Sequence, residues 1–186
     1  MADTGDLFRG CFIRYNNDLV QVIEYEHRTP GNLRAFYQVK MRNVKSGKLV
    51  ENRFRAGEAI DFVRVEVGEY NVLYKEGDSF VCMNNETFDQ INVDTILFGD
   101  SADFIKEGLT VKLSFDGETP VAAEAPMTGE YIVTYTEPGV KGDTATKAMK
   151  PATLETGAKI NVPLFVEQNE KIRVNIHTGE YLERVK

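Results

Sequence analysis

The sequence predicts an all-β protein built as three small barrels in series, and three observations carry that prediction. Short runs rich in Val, Ile, Tyr and Phe recur along the 186 residues, separated by turn dipeptides such as Asn16-Asn17, Ser46-Gly47 and Asp116-Gly117. Helical periodicity is nearly absent, with one short candidate at Asp100–Glu107. Charge falls into three regimes: residues 1–64 sum to +3, residues 65–128 to −10 and residues 129–186 to 0. A chain that keeps one strand style while changing charge regime divides into domains at 1–64, 65–128 and 129–186.

In order, the first third reads as strands at Cys11–Tyr15, Leu19–Glu26, Ala35–Asn43 and Leu49–Arg55. Strand side chains alternate between faces, so Tyr37, Val39 and Met41 point one way and Gln38, Lys40 and Arg42 the other. The next strand repeats the device, with Val50 and Phe54 inward and Arg53 and Arg55 outward. The middle third carries runs at Val63–Val67, Asn71–Tyr74, Phe80–Met83 and Leu109–Phe115, with a further turn at Glu76-Gly77-Asp78. A boundary falls at Pro126-Met127-Thr128-Gly129. The last third continues with Glu130–Thr136, Lys159–Val166, Lys171–Ile176, a Thr178-Gly179 turn and Glu180–Val185.

Composition excludes several functions. No run approaches the ~18 consecutive apolar residues of a membrane span, and Met1 to Gly10 lacks a signal-peptide core, which predicts a cytoplasmic protein with no membrane partner. Cys11 and Cys82 sit in apolar strand contexts without Cys-x-x-Cys spacing and read as reduced thiols. His27 and His177 lack metal-ligand or triad contexts, and Glu24 and Glu26 share a strand face as a solvated edge would. The segment from Gly139 to Thr144 lacks the Gly-Lys-Ser/Thr ending of a phosphate loop. No catalytic residue, metal or cofactor is expected, so the chain is not read as an enzyme.

A net charge of −7 argues against nucleic acid only until it is localised. Between Arg28 and Arg55 eight cations, among them Arg28, Lys40, Arg42, Arg53 and Arg55, face the single acid Glu51. Two loops stand out beside this window. His27 to Arg34 spans more than the usual two to five residues of a hairpin connection, and Pro30-Gly31 sets a turn that leaves Asn32, Leu33 and Arg34 at its apex. In Gly139 to Thr146, glycines permit close backbone approach, and Asp143 and Thr144 offer small polar groups to ribose or base edges.

These residues resemble bacterial elongation factor P from end to end. The most specific match runs Thr134 to Thr146 through Pro138-Gly139-Val140-Lys141-Gly142-Asp143-Thr144, and continues at Lys150 to Ala158 and at Val162-Pro163-Leu164-Phe165. Tyr74-Lys75-Glu76-Gly77 with Phe80, Met83, Thr87 and Phe88, and Pro30-Gly31 before Ala35-Phe36, agree in order and spacing. The sister group, the elongation factor P-like proteins, is less similar at Gly142-Asp143-Thr144 and at Glu155-Thr156-Gly157. The resemblance implies an SH3-like (KOW-like) barrel followed by two OB-folds, in an L that mimics tRNA, acting as a monomer. It implies binding to both ribosomal subunits between the peptidyl and exit sites, and relief of stalling on proline-rich nascent chains. Carried over by motif, Pro30, Gly31, Asn32, Leu33 and Arg34 approach the CCA end of peptidyl-tRNA. Gly142, Asp143 and Thr144 face the exit-site codon of the messenger RNA, and Tyr181 and Arg184 lie near RNA on the small-subunit side.

The chain departs from the family at the tip. Members commonly read Pro-Gly-Lys-Gly, with the lysine extended by a modifying enzyme, and other lineages carry a modified arginine or an unmodified residue. Here Asn32 occupies that place and has no amine to extend, which leaves a tip-modifying enzyme as a partner only for another residue of the loop. Arg34, two residues on, is the preferred RNA-reaching group; Asn32 acting alone through hydrogen bonds is the alternative. Nothing in the chain serves as nucleophile or proton carrier, so its expected contribution is orientation of the tRNA end. A free-standing OB-fold that binds oligonucleotides on Tyr131, Tyr135 and Phe165 is the competing reading; the acidic middle third disfavours its continuous groove.

Overall fold

A computed structural model describes residues 2–139 and 148–186. It contains three five-stranded antiparallel sheets. The strands are β1 (Phe12–Tyr15), β2 (Asp18–Arg28), β3 (Phe36–Asn43), β4 (Leu49–Arg55), β5 (Phe62–Val63), β6 (Glu66–Glu76), β7 (Ser79–Asn84) and β8 (Gln90–Asp94). After a 3₁₀ segment at Thr95–Phe104 come β9 (Thr110–Asp116), β10 (Thr119–Glu124), β11 (Thr128–Thr136), β12 (Met149–Leu154), β13 (Lys159–Pro163), β14 (Lys171–Asn175) and β15 (Glu180–Arg184). The sheet orders are β4-β3-β2-β1-β5, β10-β9-β6-β7-β8 and β13-β12-β11-β14-β15. By compactness the chain forms two units, Met1–Gly68 with Leu113–Ala123 and Glu69–Lys112 with Glu124–Lys186.

In the first unit, the inward residues of β1 to β4 build a core of Ile13, Val20, Val22, Val39, Met41 and Phe54, all buried. The β1–β2 turn is the predicted one: Asn16 and Asn17 both have positive φ (52° and 68°), the conformation a two-residue hairpin needs and asparagine tolerates. Cys11 is buried and free, as is Cys82 in the second sheet. Burial holds both thiols above their ordinary range, Cys82 to about 11.

In the second unit the third sheet is fixed to the segment before it through one ring. Tyr131 is fully buried, its hydroxyl donates to the Phe104 carbonyl at 2.7 Å, and Lys106 lies over its face while pairing with Glu155 at 2.7 Å. Gly129 makes room for that phenol, because a Cβ there would come within 2.6 Å of the Tyr131 oxygen.

One loop device recurs. Asn43, Asn84 and Asn175 each use their side-chain oxygen to accept two backbone N–H groups of the following loop, and each carbonyl accepts from a residue four places on, Gly47, Phe88 and Gly179. All three of those residues have positive φ. Glycine adopts it freely; Phe88, at φ 63° and with 69% of its surface exposed, does so under strain.

The short helix predicted at Asp100–Glu107 is present only as far as Phe104, and as 3₁₀ rather than α-helical turns. The chain makes 3₁₀ turns over Thr95–Phe104, broken at Gly99 (φ 56°, ψ −132°) and ending before Lys106. Phe98, Ser101 and Phe104 are the buried residues, a spacing of three that suits a 3₁₀ rather than an α-helical period. Strands β8, β10 and β12 were absent from the sequence prediction. Pro120 and Pro151 mask two of them; Pro151 lies just past the last β11–β12 rung, Thr136↔Ala152, where the Thr136 hydroxyl donates to its carbonyl at 2.9 Å.

Candidate nucleic-acid interface

The candidate site is the distal part of the β2–β3–β4 face and the loop that joins β2 to β3. A bulge governs what that face presents. Val20 and Val22 of β2 point into the core, and the register shifts between Val22 and Glu24, so that Glu24, Glu26 and Arg28 turn outward while Tyr25 and His27 take the core side. Residues directly opposite in adjacent antiparallel strands share a face, so the outward side resolves into rows. Nearest the loop stand Arg28, Phe36 and Arg55; then Glu26, Gln38 and Arg53; then Glu24, Lys40 and Glu51; then Gln21, Arg42 and Leu49.

The basic face is therefore uneven. Lys40 is flanked across both neighbouring strands by acids, whereas the two rows nearest the loop hold three arginines around one aromatic ring. Arg28 pairs with Glu26 at 2.6 Å, and the Arg53 guanidinium lies 4.2 Å from the centroid of Phe36. Among the described residues Arg34, Lys40, Arg42, Arg53 and Arg55 make no ion pair. The end of β4 is braced from behind by Thr4, fully buried, whose hydroxyl donates to the Arg55 carbonyl and accepts from the Gly57 N–H.

At the tip Pro30 to Leu33 form a turn closed by the Leu33 N–H to the Pro30 carbonyl at 2.9 Å. Gly31, Asn32, Leu33 and Arg34 are all exposed, Leu33 by 74%. Nothing in this fold demands glycine at position 31: its φ lies outside the left-handed region and a Cβ there would meet open space.

Gly142, Asp143 and Thr144 lie outside the described residues. Tyr181 and Arg184 belong to the other unit, where Tyr181 meets Phe165 edge-on at 6.3 Å and Arg184 lies over the same ring at 5.1 Å while pairing with Glu170 at 3.0 Å. Desolvation raises the Tyr181 phenol above its usual range. Of the rings offered for base stacking, Tyr135 and Phe165 are exposed, whereas Tyr131 is core. Among the described residues no three His, Cys, Asp or Glu side chains gather as a metal site. Sequence reasoning missed Phe36, His27 and Tyr37, because the bulge that decides which side chains face outward leaves no composition signal.

Against known proteins, the chain matches in order the elongation factor P KOW-like domain over residues 3–60, the elongation factor P OB domain over 65–123 and the elongation factor P C-terminal model over 130–184. A KOW-like module followed by OB modules, all of this type, defines a translation elongation factor. It is 49% identical to elongation factor P of Chloroflexus aurantiacus over 98% of this chain and 97% of that one. It is 46% identical to that of Chloroherpeton thalassium over the full length of both. The chain belongs to the elongation factor P family. A solved eukaryotic translation initiation factor 5A from Methanococcus jannaschii aligns over 67% of this chain and 90% of its own, at 14% identity and a TM-score of 0.49, from which nothing about function follows. Among the described residues no helix is long and apolar enough to cross a membrane.

Proposed function

We propose that this factor works in the cytoplasm, bound between the peptidyl and exit sites of the ribosome, where it orients the CCA end of peptidyl-tRNA on proline-rich nascent chains. The supporting observation is the hairpin: a rigidly rooted β2–β3–β4 face that ends in exposed, unpaired arginines and a neutral polar turn. Phosphate recognition needs cations not already neutralised, and Arg34, Arg53 and Arg55 meet that condition among the described residues. Arg28 is partly spent on Glu26, and Lys40 and Arg42 sit farther from the tip, so the anchoring weight falls on Arg53 and Arg55.

The contribution is positional. Holding a mobile tRNA end in line lowers the entropic part of the barrier, and about 2.8 kcal/mol suffices for roughly a hundredfold in rate. Segment 1–64 carries the tip, 65–128 the acidic span that avoids phosphate, and 129–186 the loop Gly142 to Thr144, directed at messenger RNA, with Tyr181 and Arg184 toward small-subunit RNA. The free space around Gly31 has its use here, since a backbone without Cβ permits RNA to approach closely. Asn32 carries no lysyl-type extension. Arg34 is the group that reaches the RNA.

Replacing Asn32 and Arg34 singly by Ala and measuring translation through a proline run tests this. Arg34→Ala is expected to lose most of the stimulation. An inactive Asn32→Ala beside a normal Arg34→Ala would transfer the role to Asn32. The intact mass from the native host decides the state of the tip: a mass equal to the encoded sequence, allowing for start-methionine removal, makes this an unmodified-tip variant, and an excess mass identifies a modified one.

A further inference from the structure

The hairpin has a second face, and it is chemically unlike the first. On the side opposite the arginine rows His27 stacks on Tyr37, with ring centroids 4.6 Å apart and planes 23° apart, and Tyr37 in turn stacks on Tyr25 at 6.4 Å and 30°. Tyr37 packs against the core cluster, so the run of rings is anchored through its middle member. His27 is exposed at its upper end, next in sequence to Arg28 and two residues short of the turn that begins at Pro30. Among the described residues its imidazole has no hydrogen bond and no ion pair, and Tyr37 is its one ring contact.

We infer that His27 is a stacking platform for an unpaired RNA base, and that Tyr37 and Tyr25 hold it in place. This rests on the proposed site between peptidyl and exit sites, and extends it from phosphates to a base. The register bulge at Ile23 is what makes the arrangement: without the extra residue Tyr25 and His27 would turn to the outward face, and Glu26 and Arg28 would take their place beside Tyr37 on the core side. With it, a single strand of RNA passing the end of the hairpin meets guanidinium groups on one side and an aromatic plane on the other. Single-strand binders combine the same two elements, a basic track for the backbone and rings for the bases. The charge nearby is complementary to RNA, since Arg28 neutralises Glu26 at 2.6 Å and Arg34 follows on the far side of the turn. The competing account is that the ring pair only stiffens the hairpin.

The test uses the full chain and ribosomes stalled with a peptidyl-tRNA whose terminal adenine is replaced by 2-aminopurine, a base whose fluorescence is quenched by stacking. Wild-type protein is expected to quench it. His27→Ala is expected to lose at least about half of that quenching while still sedimenting with ribosomes, and His27→Phe, which stacks but cannot hydrogen-bond, to restore it. Wild-type quenching by His27→Ala would overturn the inference, as would restoration by His27→Gln in place of His27→Phe. Failure of the wild-type chain to sediment with these ribosomes is a separate outcome, and would sink the proposed site and this inference with it.

Discussion

Two clusters of basic side chains in this molecule look alike in composition and differ in what they are bound to. In the second unit Arg173 bridges Glu130 and Glu183, Lys171 pairs with Glu130 at 2.7 Å, Lys106 with Glu155 at 2.7 Å and Arg184 with Glu170 at 3.0 Å. On the hairpin of the first unit Arg53 and Arg55 have no such partners among the described residues, and Arg53 lies on a ring instead. Paired cations hold a fold together; unpaired ones repel each other and persist where an external anion is bound. On the proposed function, recognition falls to the hairpin and cohesion to the third sheet.

The largest effect is expected from reversing the hairpin charge. Arg53→Glu with Arg55→Glu should weaken ribosome binding by about a hundredfold or more, measured by sedimentation at fixed salt, while the melting temperature stays close to wild type. A comparable loss from neutralising Arg173 would erase the distinction between the two clusters. Next comes cohesion: Gly129→Ala, which forces a methyl toward the Tyr131 hydroxyl, should cost about 1–3 kcal/mol in chemical denaturation. The hairpin position Gly31→Ala, with open space around it, should cost under about 1 kcal/mol and act on translation instead.

Acid sharpens the comparison from the other side. Hydrogen bonds from Lys171 and then Arg173 hold the Glu130 carboxyl below its ordinary range. Burial pushes Glu155 upward, but hydrogen bonds from Lys106 and the Ile132 N–H outweigh it and leave it lowered too. A carboxylate whose folded-state pKa is depressed adds stability that is present above its unfolded value, near 4.5, and is lost as pH falls through the folded value. Melts taken from pH 7 downward should therefore lose stability below about pH 4.5, and Glu155→Gln should flatten part of that slope. The smallest effect concerns the repeated asparagine loops. Phe88→Gly should stabilise by up to about 1 kcal/mol by relieving a positive φ, whereas Gly47→Ala should destabilise by a similar amount.

The all-β class, the three sheets and most strands were legible because alternation and turn chemistry are local: Asn16-Asn17 names its own turn, and Tyr37, Val39 and Met41 name the inner face of β3. Three things were not. Ile23 looks like any strand residue, yet the bulge beside it turns Tyr25 and His27 to the core side and leaves Glu24 opposite Lys40, so the evenly basic face read from sequence is concentrated near the loop. Pro120 and Pro151 suppress strand signals that tertiary pairing restores. The 3₁₀ segment at Thr95–Phe104 follows a three-residue burial period that a search for α-helical spacing passes over. Whether a cation is free or paired is a tertiary fact, and composition alone gave Arg28 and Arg55 the same standing.

The salt dependence of ribosome binding reads the central contrast most directly. If unpaired hairpin arginines are the anchors, the slope of log affinity against log salt should be shallower by about two for Arg53→Ala with Arg55→Ala than for the wild-type chain. An unchanged slope in the double variant would contradict the account, because it would mean that neither side chain meets phosphate.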